Sequence, residues 1–276
     1  MNKIYGMVGY TILTHYNKKV LVIADMHDVM KPCPEKYVTI GNWMKEKFNT
    51  SDILLEEIER SEDNIIKELW ASSDHTQELK NLYLENKDTI IPIDIRHNFI
   101  YYSWRLFNPN EKTHCIKMYE YLELINSFFT LQNKNLKEKL EYYKPCVLKN
   151  TILGNYYLQI KNKYKQFINN NINNLKKNMG DLNRDNIFEE FDDILDNILE
   201  WYTIYNTIYS KKNSIIVHTG LAHSEQIVNI LKNLFHFNVY HEEGTNRLID
   251  INENNIKSCF RLPTSMHSQF GGYYNE

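Results

Sequence analysis

The stretch "VLVIAD", residues 20–25, most restricts what this chain can fold into. Its apolar residues run on without a polar face, so the segment has to be covered on both sides, as in the middle of a sheet. "YTILTHY" (10–16) and the polar "NKK" precede it, and the three together read as a β-hairpin whose second arm is central. Further strand-like runs follow at intervals filled by helical patterns. "DILLEEI" (52–58) is short and apolar and ends in charge, and "DTIIPIDI" (88–95) is a third. Pro92 cannot donate to a ladder, but the isoleucines around it are β-branched and favour a strand. "NSIIVHTG" (213–220) and "FNVYHEE" (237–243) are the last. Between them, residues 36–48 suit a helix with Val38, Ile40, Trp43, Met44 and Phe48 to one side, and helices are expected around 62–70, 75–86 and 223–235.

Strands that alternate with helices imply an α/β fold with a mostly parallel sheet flanked by helices. From about 98 to 210 helical periodicity takes over. Ile187, Phe188, Phe191, Ile194, Leu195, Ile198, Leu199 and Tyr202 recur at three- and four-residue steps and form one apolar stripe. Breaks fall near Gly180 and in "YYKPCVLKN" around 145. The expectation is a single α/β domain over 1–276, with sheet-forming parts at about 8–97 and 213–244 and a large helical insertion at about 98–210 before the last strands. A chain of 276 residues, 42% of them hydrophobic, has ample material for such a core.

Composition narrows the partners. A formal net charge of −3 gives no general argument for nucleic acid or an anionic membrane. Lysines gather between Lys161 and Lys177, but Glu189, Glu190, Asp192 and Asp193 follow, which suits solvated helix faces. No segment approaches the roughly 20 apolar residues of a membrane span, and "MNKIYGMVGYT" lacks the apolar core of a signal peptide. Cys33, Cys115, Cys146 and Cys259 are widely spaced with no CxxC pair, the pattern of reduced thiols in a cytoplasmic protein. The expected partner is a small-molecule or peptide substrate; the oligomeric state is not legible.

Open α/β sheets bind ligands beyond the carboxyl ends of their strands. There the first parallel strand delivers Asp25, His27 and Asp28, the next Glu56 and Glu57, the third Asp94, Arg96 and His97, and the last His218 and His223. Each has an ordinary reading. An Asp after a strand is usually a turn or cap residue, a strand-end Glu is usually solvated, Arg96 could serve a neighbouring acid, and His223 could simply open a helix. Four coincident strand ends carry more weight than any one of them. "Ala24-Asp-Met-His27" and "Gly220-Leu-Ala-His223" also share a shape: apolar strand, small residue, two residues, histidine. The small residue allows a sharp turn or a close ligand. A helix N-terminus favours the neutral imidazole that acts as base or metal ligand.

At these residues the chain resembles the superfamily that joins erythromycin esterases, ChaN-like haem-binding lipoproteins and TraB/Tiki metalloprotease-like proteins. Their strands end in GExH or GxxH, then in Glu, then in another G-x-x-H turn. "ADMHD", "LLEE" and "GLAH" take those places here, over the strands and their turns and not the helical block. Ala24 replaces the first glycine, and Asp25 stands where the esterases have Glu.

The resemblance implies a hydrolase, metal-dependent or metal-free. In the metal-dependent form, His27, Glu56, His223 and Asp25 are the candidate ligands for Zn, Mn or Co. His27, Glu56, His223 and His218 are candidate acid/base groups, and Arg96 binds an anion or an oxyanion. His97 stands in a second rank with Asp25 and His218. Two alternatives are a haem- or other small-ligand-binding protein, as in the ChaN-like precedent, and a non-catalytic interaction protein. No GxGxxG, GxxxxGK[ST] or GxSxG occurs, which argues against dinucleotide, phosphate-loop and serine-elbow chemistry. The tail "RLPTSMHSQFGGYYNE", with His267, reads as a loop or partner-facing segment.

Overall fold

The computed structural model describes residues 3–26, 31, 33, 34, 36–58, 73–99, 117–134, 136, 139, 151–178, 184–252, 256–263 and 270. Its frame is a six-stranded mixed sheet. The strands are β2 (Gly9–His15), β3 (Lys18–Asp25), β5 (Ser51–Ile58), β6 (Ile90–Asp94), β7 (Ser214–Gly220) and β8 (Asn238–Gly244), in the order β6-β5-β7-β3-β2-β8. The first four in that order run parallel; β2 returns antiparallel to β3, and β8 lies antiparallel to β2 at the far edge. This is the mostly parallel α/β sheet that the strand pattern implied. β2 departs from it because the short hairpin to β3 can only join antiparallel neighbours.

The run from Val20 to Asp25 is buried throughout, because β3 has neighbours on both sides and helices over both faces. Leu21 and Ile23 share one cluster with Ile53, Leu55 and Ile216, and with Ile40, Trp43 and Met44 of α1 (Ile40–Lys45) and Leu79, Leu82 and Tyr83 of α2 (Asp74–Glu85). The alternate residues of the same strands point the other way; there Ala24 packs with Val8 and with Leu221 at the start of the last helix (Leu221–Asn233). Each fully buried Ile or Leu contributes about 1.5–3 kcal/mol. Pro92 is tolerated because β6 is an edge strand.

Three local features differ from the sequence expectations. Residues 36–48 are not one helix. Tyr37–Thr39 form a strand, β4, parallel to β1 (Lys3–Tyr5), which also pairs with β9 (Cys259–Phe260) in a small second sheet, and α1 is only Ile40–Lys45. Val38 and Thr39 are β-branched, and pairing with distant residues overrides local periodicity. The helix expected at 223–235 starts at Leu221, with Gly220 as its N-cap. Cys33 and Cys259 are disulfide-bonded across 226 residues, which corrects the expectation of reduced thiols for this pair. Ser258 Oγ donates to the Lys31 carbonyl and holds the two segments together, a proximity that cysteine spacing does not reveal. Cys115 and Cys146, the helix expected at 62–70, and His267 lie outside the described residues. Among the described residues no helix is long and apolar enough to cross a membrane.

The chain divides into two compact units, Met1–Asp94 with Thr203–Glu276, and Ile95–Tyr202. The second is helical and interrupts the first in sequence. It contains α3 (Met118–Phe129), α4 (Ile152–Asn170) and the larger part of α5 (Arg184–Tyr209); the last helix, Leu221–Asn233, is α6. Phe191, Ile194, Leu195, Ile198, Leu199 and Tyr202 of the apolar stripe are buried. Its core is aromatic, and the polar ends of the rings find backbone acceptors. Tyr157 Oη donates to Phe128 O at 2.8 Å, Tyr164 Oη to Leu122 O at 2.6 Å, and Trp201 Nε1 to Leu153 O at 3.0 Å.

Candidate active site

Two carboxylate–imidazole pairs stand at the carboxyl edge of β5, β7 and β3. The first joins Glu56 to His223. β5 pairs with β6 at Leu55↔Pro92 and then at Ile58↔Asp94, so one extra residue falls at Glu56–Glu57. A bulge of this kind re-aims side chains at the end of a strand. Glu57 is buried and its Oε1 accepts from the Ile58 N–H. Glu56 reaches across to the β7–α6 junction, where Oε2 accepts from the Gly220 N–H at 2.6 Å and Oε1 lies 3.6 Å from His223 Nε2. The side chains of His223 and Glu56 are only 11% and 9% exposed. His223 occupies the first turn of α6, so Gly220 both ends the strand and starts the helix that presents the imidazole.

The second pair joins Asp25 to His75, which lies in a helix and not at a strand end. Asp25 closes β3, in register with Gly220, and its side chain is fully buried. His75 Nε2 lies 2.8 Å from Asp25 Oδ1, and His75 Nδ1 lies 2.9 Å from Ser73 Oγ. Ser73 is the N-cap of α2 and forms a capping box with Thr76. The "S-x-x-T" spacing could have located that helix start, but nothing in the sequence connects it to Asp25.

The remaining candidates are distributed as follows. His218 is 1% exposed and sits in register between Ile23 and Leu55, within the sheet and short of its edge. Asp94 ends β6 and is buried. Arg96 belongs to the second unit, where Nη1 donates to Asp196 Oδ1 at 2.6 Å. Asp192 of that unit has its carboxyl pushed up to about 6, by burial first and then by the neighbouring Asp196 charge, with Arg96 acting in the opposite direction. His97 Nε2 lies 3.1 Å from its neighbour Asn98 Nδ2. His27 and Asp28 lie outside the described residues. Among the described residues, no group of three or more His, Cys, Asp and Glu is arranged to hold a metal ion.

Glu56 and His223 offer an oxygen and a nitrogen 3.6 Å apart at this edge, while Asp25 is engaged with His75. Without a cation, a carboxylate beside an imidazole stabilises the ring once it has taken up a proton. Comparison with family models, curated proteins and solved structures finds no match.

Proposed function

We propose that the chain is a hydrolase whose water-activating groups are His223 and Glu56 at the carboxyl edge of the sheet. The observation that supports this is their juxtaposition. One Glu56 oxygen is anchored by the Gly220 N–H and the other stands 3.6 Å from His223 Nε2, in a setting where both side chains are largely buried. The carboxylate stands beside Nε2 of the imidazole that acts as the base. As His223 takes a proton from water, the imidazolium forms beside a fixed negative charge.

The resemblance to the erythromycin esterase, ChaN-like and TraB/Tiki group adds a divalent metal, Zn, Mn or Co, to this reading. Glu56 and His223 would supply two of its ligands, and when bound it would lower the pKa of a coordinated water. Water is then activated at the same place, so elemental analysis of chelator-free protein distinguishes the two forms.

The test is turnover of p-nitrophenyl esters, peptides and phosphoesters by the wild-type chain and by His223→Ala, each compared in a Ser73→Asn background so that turnover through the Ser73 hydroxyl beside His75 is not counted. The expected result is hydrolysis in one of these classes that falls at least about 100-fold in the variant. Unchanged turnover in His223→Ala, or no turnover by the wild type in any class, overturns the reading.

A further inference from the structure

We infer that Ser73, His75 and Asp25 form a serine nucleophile site for acyl esters, separate from the Glu56–His223 pair. Three observations lead to it. The side chains form an unbroken chain, Ser73 Oγ to His75 Nδ1 at 2.9 Å and His75 Nε2 to Asp25 Oδ1 at 2.8 Å. All three residues are buried, Asp25 at 0%, His75 at 3% and Ser73 at 8%, so the chain of hydrogen bonds is shielded from bulk water. The hydrogen bonds also admit the pattern that a nucleophile and its base require. Facing an ionised Asp25, which only accepts, a neutral His75 carries its proton on Nε2 and keeps a lone pair on Nδ1. The Thr76 hydroxyl donates to the Ser73 carbonyl at 2.9 Å, and the Ser73 hydroxyl, 2.9 Å from both Thr76 Oγ1 and His75 Nδ1, is placed to donate to that lone pair. A helix cap alone requires none of this, because Ser73 could close its capping box with any side chain at position 75.

The arrangement has the nucleophile–base–orienter logic found on many unrelated folds. Ser73 Oγ attacks the ester carbonyl carbon while its proton passes to His75 Nδ1, and Asp25 stabilises the imidazolium through the Nε2 hydrogen bond. Collapse of the tetrahedral adduct breaks the bond to the leaving alkoxide, which takes the proton from Nδ1 and departs as an alcohol. Water then adds to the acyl-serine, gives a proton to Nδ1, and the carboxylic acid leaves with Ser73 regenerated. Ser73 and His75 are the catalytic residues, and Asp25 is a positioning residue.

The experiment uses the full chain and diisopropyl fluorophosphate, with intact mass and peptide mapping as readout. The expected result is one diisopropylphosphoryl adduct, mapped to Ser73. Ser73→Asn keeps a good N-cap but has no hydroxyl, so it is expected to keep the wild-type far-UV spectrum and take no adduct. His75→Gln and Asp25→Asn are expected to slow the limiting rate of labelling at least about 100-fold, with the half-saturating reagent concentration within about twofold of wild type. Glu56→Gln is expected to label like wild type, so a failure of the water-activation reading and a failure of this one give different results. Absence of an adduct on Ser73 in the wild type, or equal labelling rates in the wild type and His75→Gln, overturns the proposal.

Discussion

Replacing Glu56 by alanine and, separately, by glutamine distinguishes what this carboxylate does for the fold from what it does for chemistry. Its Oε2 accepts from the Gly220 N–H at 2.6 Å, and the side chain is 9% exposed. A buried hydrogen bond to a charged group contributes about 1.5–3 kcal/mol. Alanine removes the acceptor at the point where β7 becomes α6, so a loss of about 2–3 kcal/mol is expected. Glutamine keeps a neutral carbonyl acceptor and forfeits only the charge assistance, so about 1 kcal/mol is expected. Both losses should appear in urea unfolding as a lower midpoint at unchanged slope, with tryptophan fluorescence and far-UV circular dichroism coinciding. Hydrolysis should rank the variants differently: glutamine cannot stabilise a His223 imidazolium, so both are expected to lose at least about 100-fold. An alanine variant within about 0.5 kcal/mol of wild type would refute the anchoring by Gly220. A glutamine variant that is destabilised by about 1 kcal/mol but fully active would leave the anchoring intact and refute the chemical role.

Two further perturbations test other parts of the structure. Asp192 has its carboxyl pushed from 3.8 to about 6, so the folded state holds this proton more tightly than the unfolded chain. The sign follows: its favourable contribution is complete below about pH 4 and declines as pH rises through 6. Asp192→Asn is therefore expected to be more stable than wild type at pH 7, by about 1–2 kcal/mol after allowing for partial solvent screening. It should show no advantage at pH 4; urea midpoints at the two pH values check this, and an equal gain at both would refute it. Gly9 lies where β2 meets Gly244 of β8, and a Cβ there would come within 2.4 Å of the Thr245 carbonyl oxygen. Backbone cannot swing aside as a side chain can, so Gly9→Ala is expected to cost about 1–3 kcal/mol. Gly41→Ala meets the Glu78 side chain, which can swing aside only by giving up the hydrogen bond from Thr39 Oγ1, so a smaller loss of about 1 kcal/mol is expected; similar losses in both would refute the distinction.

Sheet strands were legible because their signal is local and strong. Val20–Ala24, Ile53–Leu55 and Ile215–Val217 are apolar on both faces, and the structure buries them on both faces. The small sheet was not legible because its strands are two or three residues long and acquire their identity only by pairing. Lys3 with Tyr37 and Ile4 with Phe260 are contacts between residues that periodicity treats as unrelated. The Cys33–Cys259 bond escaped notice for the same reason, since its partners are 226 residues apart. Long-range pairing is thus the common cause of these departures, and each involves the short second sheet or a segment tied to it.

The site divides along the same line. Glu56 and His223 could be singled out because each ends a strand or opens the helix that follows one, and strand ends in a parallel sheet share an edge whatever the strand order. His75 could not be found that way, since it belongs to the first turn of α2 and ends none of the strands of the sheet. What brings it to Asp25 is α2 lying against the face of the sheet toward which Asp25 points, with Leu79, Leu82 and Tyr83 in the same core as Leu21 and Ile23. Those alternate residues of β3 fix the direction of Asp25 two positions further on, so the packing of one apolar face aims a carboxylate at a helix start. The polar contact therefore depends on the apolar one. A substitution that tilts α2, such as Leu79→Ala in this buried cluster, should loosen the His75–Asp25 contact without touching either residue. The labelling rate at Ser73 measures that contact directly: it should fall in Leu79→Ala while the reactivity attributed to Glu56 and His223 persists. An unchanged rate would mean that the capping box of α2, rather than the core beneath it, holds His75 in place.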